Sequence, residues 1–168
     1  MTSKEKLLSE AFRLFVTKGY DRTSMSDLAK AANVSKGAYH HYFPRKQDIL
    51  DACLETYFSD GLQPPPETDV PVREYARTAS RAYANILVRL RSEGIPLIAY
   101  QAFLWTMIRD GHIEIPTPEQ RGDGAVDMEL ITALIEGAGV LAALSDPKSD
   151  EEIYDLFERI LSLGLMQQ

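Results

Sequence analysis

Between residues 22 and 46 the chain reads RTSMSDLAKAANVSKGAYHHYFPRK, which crowds hydroxyl, small, aromatic and basic side chains into two short helices and the turn between them. Such side chains bind rather than react. Ser35 and Lys36 stand where free backbone N–H groups and a helix dipole favour phosphate. Gly37 and Ala38 are small enough to let backbone approach a nucleic-acid groove. Tyr39, His40 and Tyr42 add donors, acceptors and ring faces, while Phe43 is apolar and is expected to turn inward. Thr23, Ser24, Lys36, Tyr42 and Lys46 are the residues expected at phosphates and Gly37, Ala38, Tyr39 and His40 those expected at base edges, with Ser35 capping the reading helix.

These side chains need two short helices joined by a tight turn. Ser24 with Asp27 three residues on forms a capping box, with Asp in place of the usual Glu or Gln. Met25, Leu28, Ala29 and Ala32 then share one face at helical spacing. Asn33 tolerates the left-handed conformation that ends helices. Pro44 stops the second helix. A turn this short fixes a large crossing angle and makes the second helix the groove reader.

Charge points the same way. Residues 1–46 carry nine Lys and Arg against four Asp and Glu, a net of +5, and the other 122 residues carry nine against 21, a net of −12. A positive head on an acidic body is the electrostatic footprint of a DNA reader.

The stretch LLSEAFRLFVTKGYDRTSMSDLAKAANVSKGAYHHYFPRKQDIL, residues 7–50, closely resembles the N-terminal domain of TetR/AcrR-type regulators. The matching features are AF-x-LF followed by Gly19-Tyr20, Thr23-Ser24, Asp27-Leu28-Ala29, Val34-Ser35-Lys36-Gly37, Phe43 and Lys46. Three positions depart from the family pattern: Asn33 replaces a more usual Gly, Tyr39 an aliphatic residue, and His40 a Tyr. The resemblance implies an all-α protein with a three-helix head, a linking fourth helix and a larger helical body that binds a small molecule and dimerises.

The rest of the sequence fits that plan. The first helix, about residues 4–18, has Leu8, Ala11, Phe12 and Phe15 on one face. A fourth helix runs from about 46 to 60, and the prolines of GLQPPPETDVP break the pattern after it. The expected domains are 1–46 as the DNA-binding head, with 47–60 as a link, and 61–168 as the body. Helices are expected near 72–91, 96–109, 125–144 and 149–165. The second of these is apolar nearly all round and is expected to be buried. Residues 112–124 read as an irregular connection, shorter than the family's usual helix there.

In the body, Tyr57, Tyr83, Tyr100, Phe103, Trp105 and Met107 make an aromatic and sulfur-rich set. Gln101 is expected to point inward among them and to orient a ligand. The final two helices carry wide apolar stripes, and Leu134, Ala138, Leu141, Phe157 and Ile160 are the expected dimer contacts, in a four-helix interface about a two-fold axis.

Other chemistries find little support. His40 and His41 diverge by about 100° on a helix and do not chelate together, so no metal is expected. Cys53 lies on an apolar face, where a thiol is ordinarily inert. No nucleophile–base order or phosphate loop stands out, and no cofactor is expected. No run of about 18 apolar residues and no signal-like stretch is present, and a cytoplasmic protein is the simplest expectation. The expected function is a ligand-responsive, DNA-binding transcriptional regulator, a repressor that holds a palindromic operator as a homodimer. A helical protein–protein adaptor and a small-molecule-processing enzyme remain the alternatives.

Overall fold

A computed structural model describes residues 3–62, 72–113 and 125–165. The described residues form eight α-helices and contain no strand: α1 Ser3–Lys18, α2 Met25–Ala31, α3 Lys36–Tyr42, α4 Lys46–Leu62, α5 Val72–Ser92, α6 Leu97–Arg109, α7 Ala125–Ser145 and α8 Asp150–Leu165. Among them no helix is long and apolar enough to cross a membrane. The irregular connection expected after His112 lies, from residue 114 on, outside the described residues.

Local chemistry sets the boundaries of the head. At the start of α2, Ser24 Oγ accepts from the Asp27 N–H and the Asp27 carboxylate accepts from the Ser24 N–H, so the capping box closes both ways. Lys18 adds an ion pair to the same carboxylate at 2.9 Å. These bonds favour the charged form and hold Asp27 well below the usual carboxylate range, with the Lys18 contact the largest cause. Because the folded-state pKa is depressed, the stability that Asp27 contributes is present above the unfolded value of 3.8 and is lost as pH falls through the lower folded value. Asp27→Ala therefore narrows the gap between melting temperatures measured at about pH 5 and about pH 2. Asn33 takes the left-handed conformation, φ 54°, that lets α2 stop and α3 begin three residues later. Ser35 caps α3 by accepting from the Ala38 N–H at 3.1 Å.

Head and body share one continuous core. Phe12 of α1 stacks on Tyr57 of α4 at 3.8 Å between centroids. It also meets Phe58, Tyr100 and Phe103 edge-on, so a single ring joins three helices. Glu93, just beyond α5, accepts from Tyr57 Oη at 3.0 Å, from Ser9 Oγ at 3.4 Å and from Arg89 Nε at 2.9 Å. In the body, α5 packs on α7 and α8 as well as on α4. Arg91 ties its end to the α7–α8 turn through the Pro147 and Lys148 carbonyls and Asp150.

Two expectations for the body fail. The helix expected to be buried all round, α6, buries Leu97, Tyr100, Phe103, Leu104 and Met107 but leaves Ile98 53% and Trp105 50% exposed. These two are seven residues apart and so lie on the same outward face. Trp105 is therefore not part of an inward aromatic set. Ala138 and Phe157, expected at a dimer interface, are buried inside the chain, where Phe157 meets the edge of Tyr83 at 5.8 Å. They close the core of the single chain, as helices apolar on both faces allow.

Candidate nucleic-acid interface

The orientation of α3 follows from two side chains. Tyr39 and Phe43, one turn apart, are both buried. Tyr39 Oη donates to the Leu7 carbonyl of α1 at 2.7 Å. Its expected role at a base edge is thus corrected: its ring and hydroxyl are consumed in fixing α3 to α1. Burial pushes the phenol far above its ordinary pKa and keeps it a donor.

With that face inward, Lys36, Gly37, Ala38, His40, His41 and Tyr42 are exposed. A Cβ on Gly37 would meet only Ser35 Oγ, at 3.9 Å, so the helix surface is open there. At about 100° per residue His41 lies nearly opposite Tyr39. It belongs to the outward set, and the spacing already carried that signal. His41 packs edge-on against the Tyr42 ring at 5.3 Å. His40 Nδ1 lies 3.1 Å from the Pro44 carbonyl oxygen.

The expected phosphate contacts divide. Lys36 is exposed with no ion pair among the described residues, as are Arg22 and Lys30, two cations that the motif alone did not single out. Ser24 is exposed, but its hydroxyl already donates to Asp27. Thr23 is corrected: its side chain is buried and its hydroxyl donates to the Gly19 carbonyl at 2.8 Å, holding the turn instead of facing outward. Lys46 is half-buried. Its Nζ donates to the Tyr20 carbonyl at 3.0 Å and sits 4.1 Å above the Tyr20 ring. Tyr20 in turn donates to Gln47 at 3.1 Å and touches His112 beyond α6. Lys46 thus pins the turn before α2 to the start of α4, with donor capacity left over.

The residues expected to line a ligand site do not all meet. Gln101 Nε2 donates to Tyr83 Oη at 2.9 Å inside the body. Burial pushes the Tyr83 phenol up to about 12. Tyr100 is fully buried beside this pair, and among the described residues its hydroxyl has no hydrogen-bond partner. Phe103 and Met107 are buried nearby on the same helix. Tyr57 is joined to Tyr100 and Phe103 through Phe12 and turns its hydroxyl to Glu93, and Trp105 faces outward. Among the described residues no group of His, Cys, Asp and Glu could hold a metal. Cys53 is buried, and burial pushes its thiol far above the ordinary range.

A capped helix-turn-helix with a basic outer face, seated on a helical body, defines a class of DNA-binding regulatory proteins. Residues 7–53 match the family model described as bacterial regulatory proteins, tetR family. That match takes in the whole helix-turn-helix, most of α1 and the first half of α4. The chain is 39% identical over 92 residues to the HTH-type transcriptional regulator YuxN of Bacillus subtilis, a match covering 52% of this chain and 32% of that protein. It is 34% identical over 62 residues to the biofilm operon negative transcriptional regulator IcaR of Staphylococcus epidermidis, covering 35% and 34%. The chain thus spans about a third of the length of the curated relatives it matches. Among solved structures, a TetR-like regulator from Rhodococcus sp. RHA1 shares the fold with a TM-score of 0.58 and 23% identity, over 99% of this chain and 97% of that one.

Proposed function

We propose that the chain is a homodimeric, ligand-responsive transcriptional repressor that binds a palindromic operator. The observation that carries this is the setting of α3: Tyr39 and Phe43 lock one face down, so that Lys36, Gly37, Ala38, His40, His41 and Tyr42 stand outward together. The charge asymmetry between head and body supports it, as does the negative regulation in the name of a relative. The head is residues 1–46, with 47–60 of α4 as the link and 61–168 as the body. A cytoplasmic location follows from a DNA target.

Dimerisation is supported by the outer face of α7. Leu141 and Leu144 are 49% and 67% exposed there, and Gly137 leaves open space beside its backbone. Leu134, two turns before Leu141, shares that face, and both it and Ile160 of α8 are half-buried. Two heads held a helical turn apart, roughly 34–36 Å, read the two halves of a palindrome. Ligand response is supported by the Tyr100 hydroxyl, which is buried near the Tyr83–Gln101 pair without a hydrogen-bond partner among the described residues. A ligand acts only through its difference in affinity between the DNA-bound and released states.

In vitro selection of duplexes from a random pool tests DNA binding, symmetry and half-site spacing together. Recovery of a palindrome supports the reading, and no enrichment at low salt defeats it. Lys36→Ala is expected to weaken binding to all duplexes alike and to lower the slope of log K against log salt by about one per recognition helix. Titration at several salt concentrations measures it.

A further inference from the structure

The ring of His40 has two nitrogens with different neighbours. Nδ1 lies 3.1 Å from the Pro44 carbonyl oxygen. That oxygen can only accept, so the proton of the neutral ring sits on Nδ1. The carbonyl is held in place from both sides: Phe43 is buried before it, and the Arg45 N–H after it donates to Asp48 at 2.8 Å. Nε2, the other nitrogen, has no protein partner among the described residues, and His40 is exposed. It therefore offers a lone pair to whatever approaches α3.

A lone pair selects its partner. Phosphate oxygens are themselves acceptors and repel it. In the major groove, guanine presents N7 and O6 and thymine presents O4, which are acceptors too. Only adenine N6 and cytosine N4 present an amino group. We propose that His40 is a specificity-determining residue that accepts a hydrogen bond from the amino group of an adenine or cytosine through Nε2, and does not grip phosphate. This rests on the DNA-binding reading of α3.

The test uses the full chain with 15N-labelled histidine. Long-range 15N–1H spectra are recorded at about pH 8, where imidazole is ordinarily neutral, for the free chain and for its complex with a duplex recovered by selection. The proton is expected on Nδ1 in both. In parallel selections, His40→Ala is expected to relax one position per half-site at which adenine or cytosine dominates, by about fivefold to tenfold, and to leave the flanking positions unchanged. Purine in place of that adenine, or 2-pyrimidinone in place of that cytosine, removes the amino group. It is expected to weaken the unmodified chain by the same factor and to leave His40→Ala unaffected. A proton on Nε2 in the complex overturns the proposal. So does guanine or thymine at the relaxed position, or no relaxed position in a His40→Ala chain whose melting is unchanged. Failure to recover any duplex is a different result: it defeats the DNA-binding reading and the base contact with it, and the spectrum of the free chain still decides the tautomer.

Discussion

Tyr39→Ala is expected to cost about 3–5 kcal/mol of stability, as for removal of a large buried aromatic side chain. That is a large share of the 5–15 kcal/mol that holds a typical domain together. The ring is fully buried between α3 and α1 and packs near Phe43 at 6.2 Å. Its hydroxyl reaches across 32 residues to the Leu7 carbonyl. Removing it opens a cavity at the joint that sets the angle of α3. Operator binding is then lost through unfolding of the head, with no change of base preference at temperatures where the head stays folded. Tyr39→Phe keeps the ring and is expected to cost only about 1 kcal/mol, one hydrogen bond. Urea melts of the two variants, with selection profiles taken well below their midpoints, check both. A Tyr39→Phe variant with altered base preference and unchanged stability would put the hydroxyl back in the groove.

Tyr39 also shows what the sequence makes legible. Its spacing from Phe43 puts both on one face of α3, and its hydroxyl argues for a wet destination. The structure resolves the conflict in favour of spacing, because a carbonyl on α1 satisfies the hydroxyl. Local signals read well: the capping box at Ser24, the left-handed Asn33 and the Ser35 cap each depend on residues within four positions, and all are present. Partnerships across long separations read poorly. Nothing near Lys46 in sequence says that the Tyr20 carbonyl, 26 residues back, takes its side chain. Apolar faces are ambiguous in the same way. Ala138 and Ala142 of α7 face the core while Leu141 and Leu144 face out, although composition makes the leucines the better core residues. Which stripe turns inward is set by what α5, α6 and α8 offer together, and α5 and α6 are distant in sequence.

The Glu93 junction gives the shared core a mechanical consequence. One carboxylate gathers Ser9 of α1, Tyr57 of α4 and Arg89 of α5. Arg89 also lies over the Tyr57 ring at 4.3 Å, and Tyr57 stacks on Phe12. Burial, with the Glu93 charge beside it, pushes the Tyr57 phenol up to about 12, so it remains a donor to that carboxylate. The head is therefore not hinged on α4 alone. A shift of α5 or α6 in the body moves the ring stack on which α1 rests.

The same interior sets opposite outcomes for two glycines of α7 only two residues apart. A Cβ on Gly139 would lie 2.5 Å from Tyr83 Cε1 and 2.8 Å from Gln101 Nε2. Neither neighbour is a free end: Tyr83 is packed against Phe157, and the two are bonded to one another. Gly139→Ala must therefore displace a buried ring or break the bond, at about 1–3 kcal/mol, more than the roughly 1 kcal/mol of helix propensity that the methyl contributes. A Cβ on Gly137 meets nothing within 4 Å, so Gly137→Ala is expected to stabilise each subunit by up to about 1 kcal/mol. Chemical denaturation of the two variants at low protein concentration measures the opposite signs. Where α7 pairs with its copy across that open backbone, Gly137→Ala also weakens self-association, read by sedimentation. A methyl tolerated at Gly139 would mean that the Tyr83–Gln101 pair yields readily, and that the polar set inside the body is soft enough to rearrange around a guest without help.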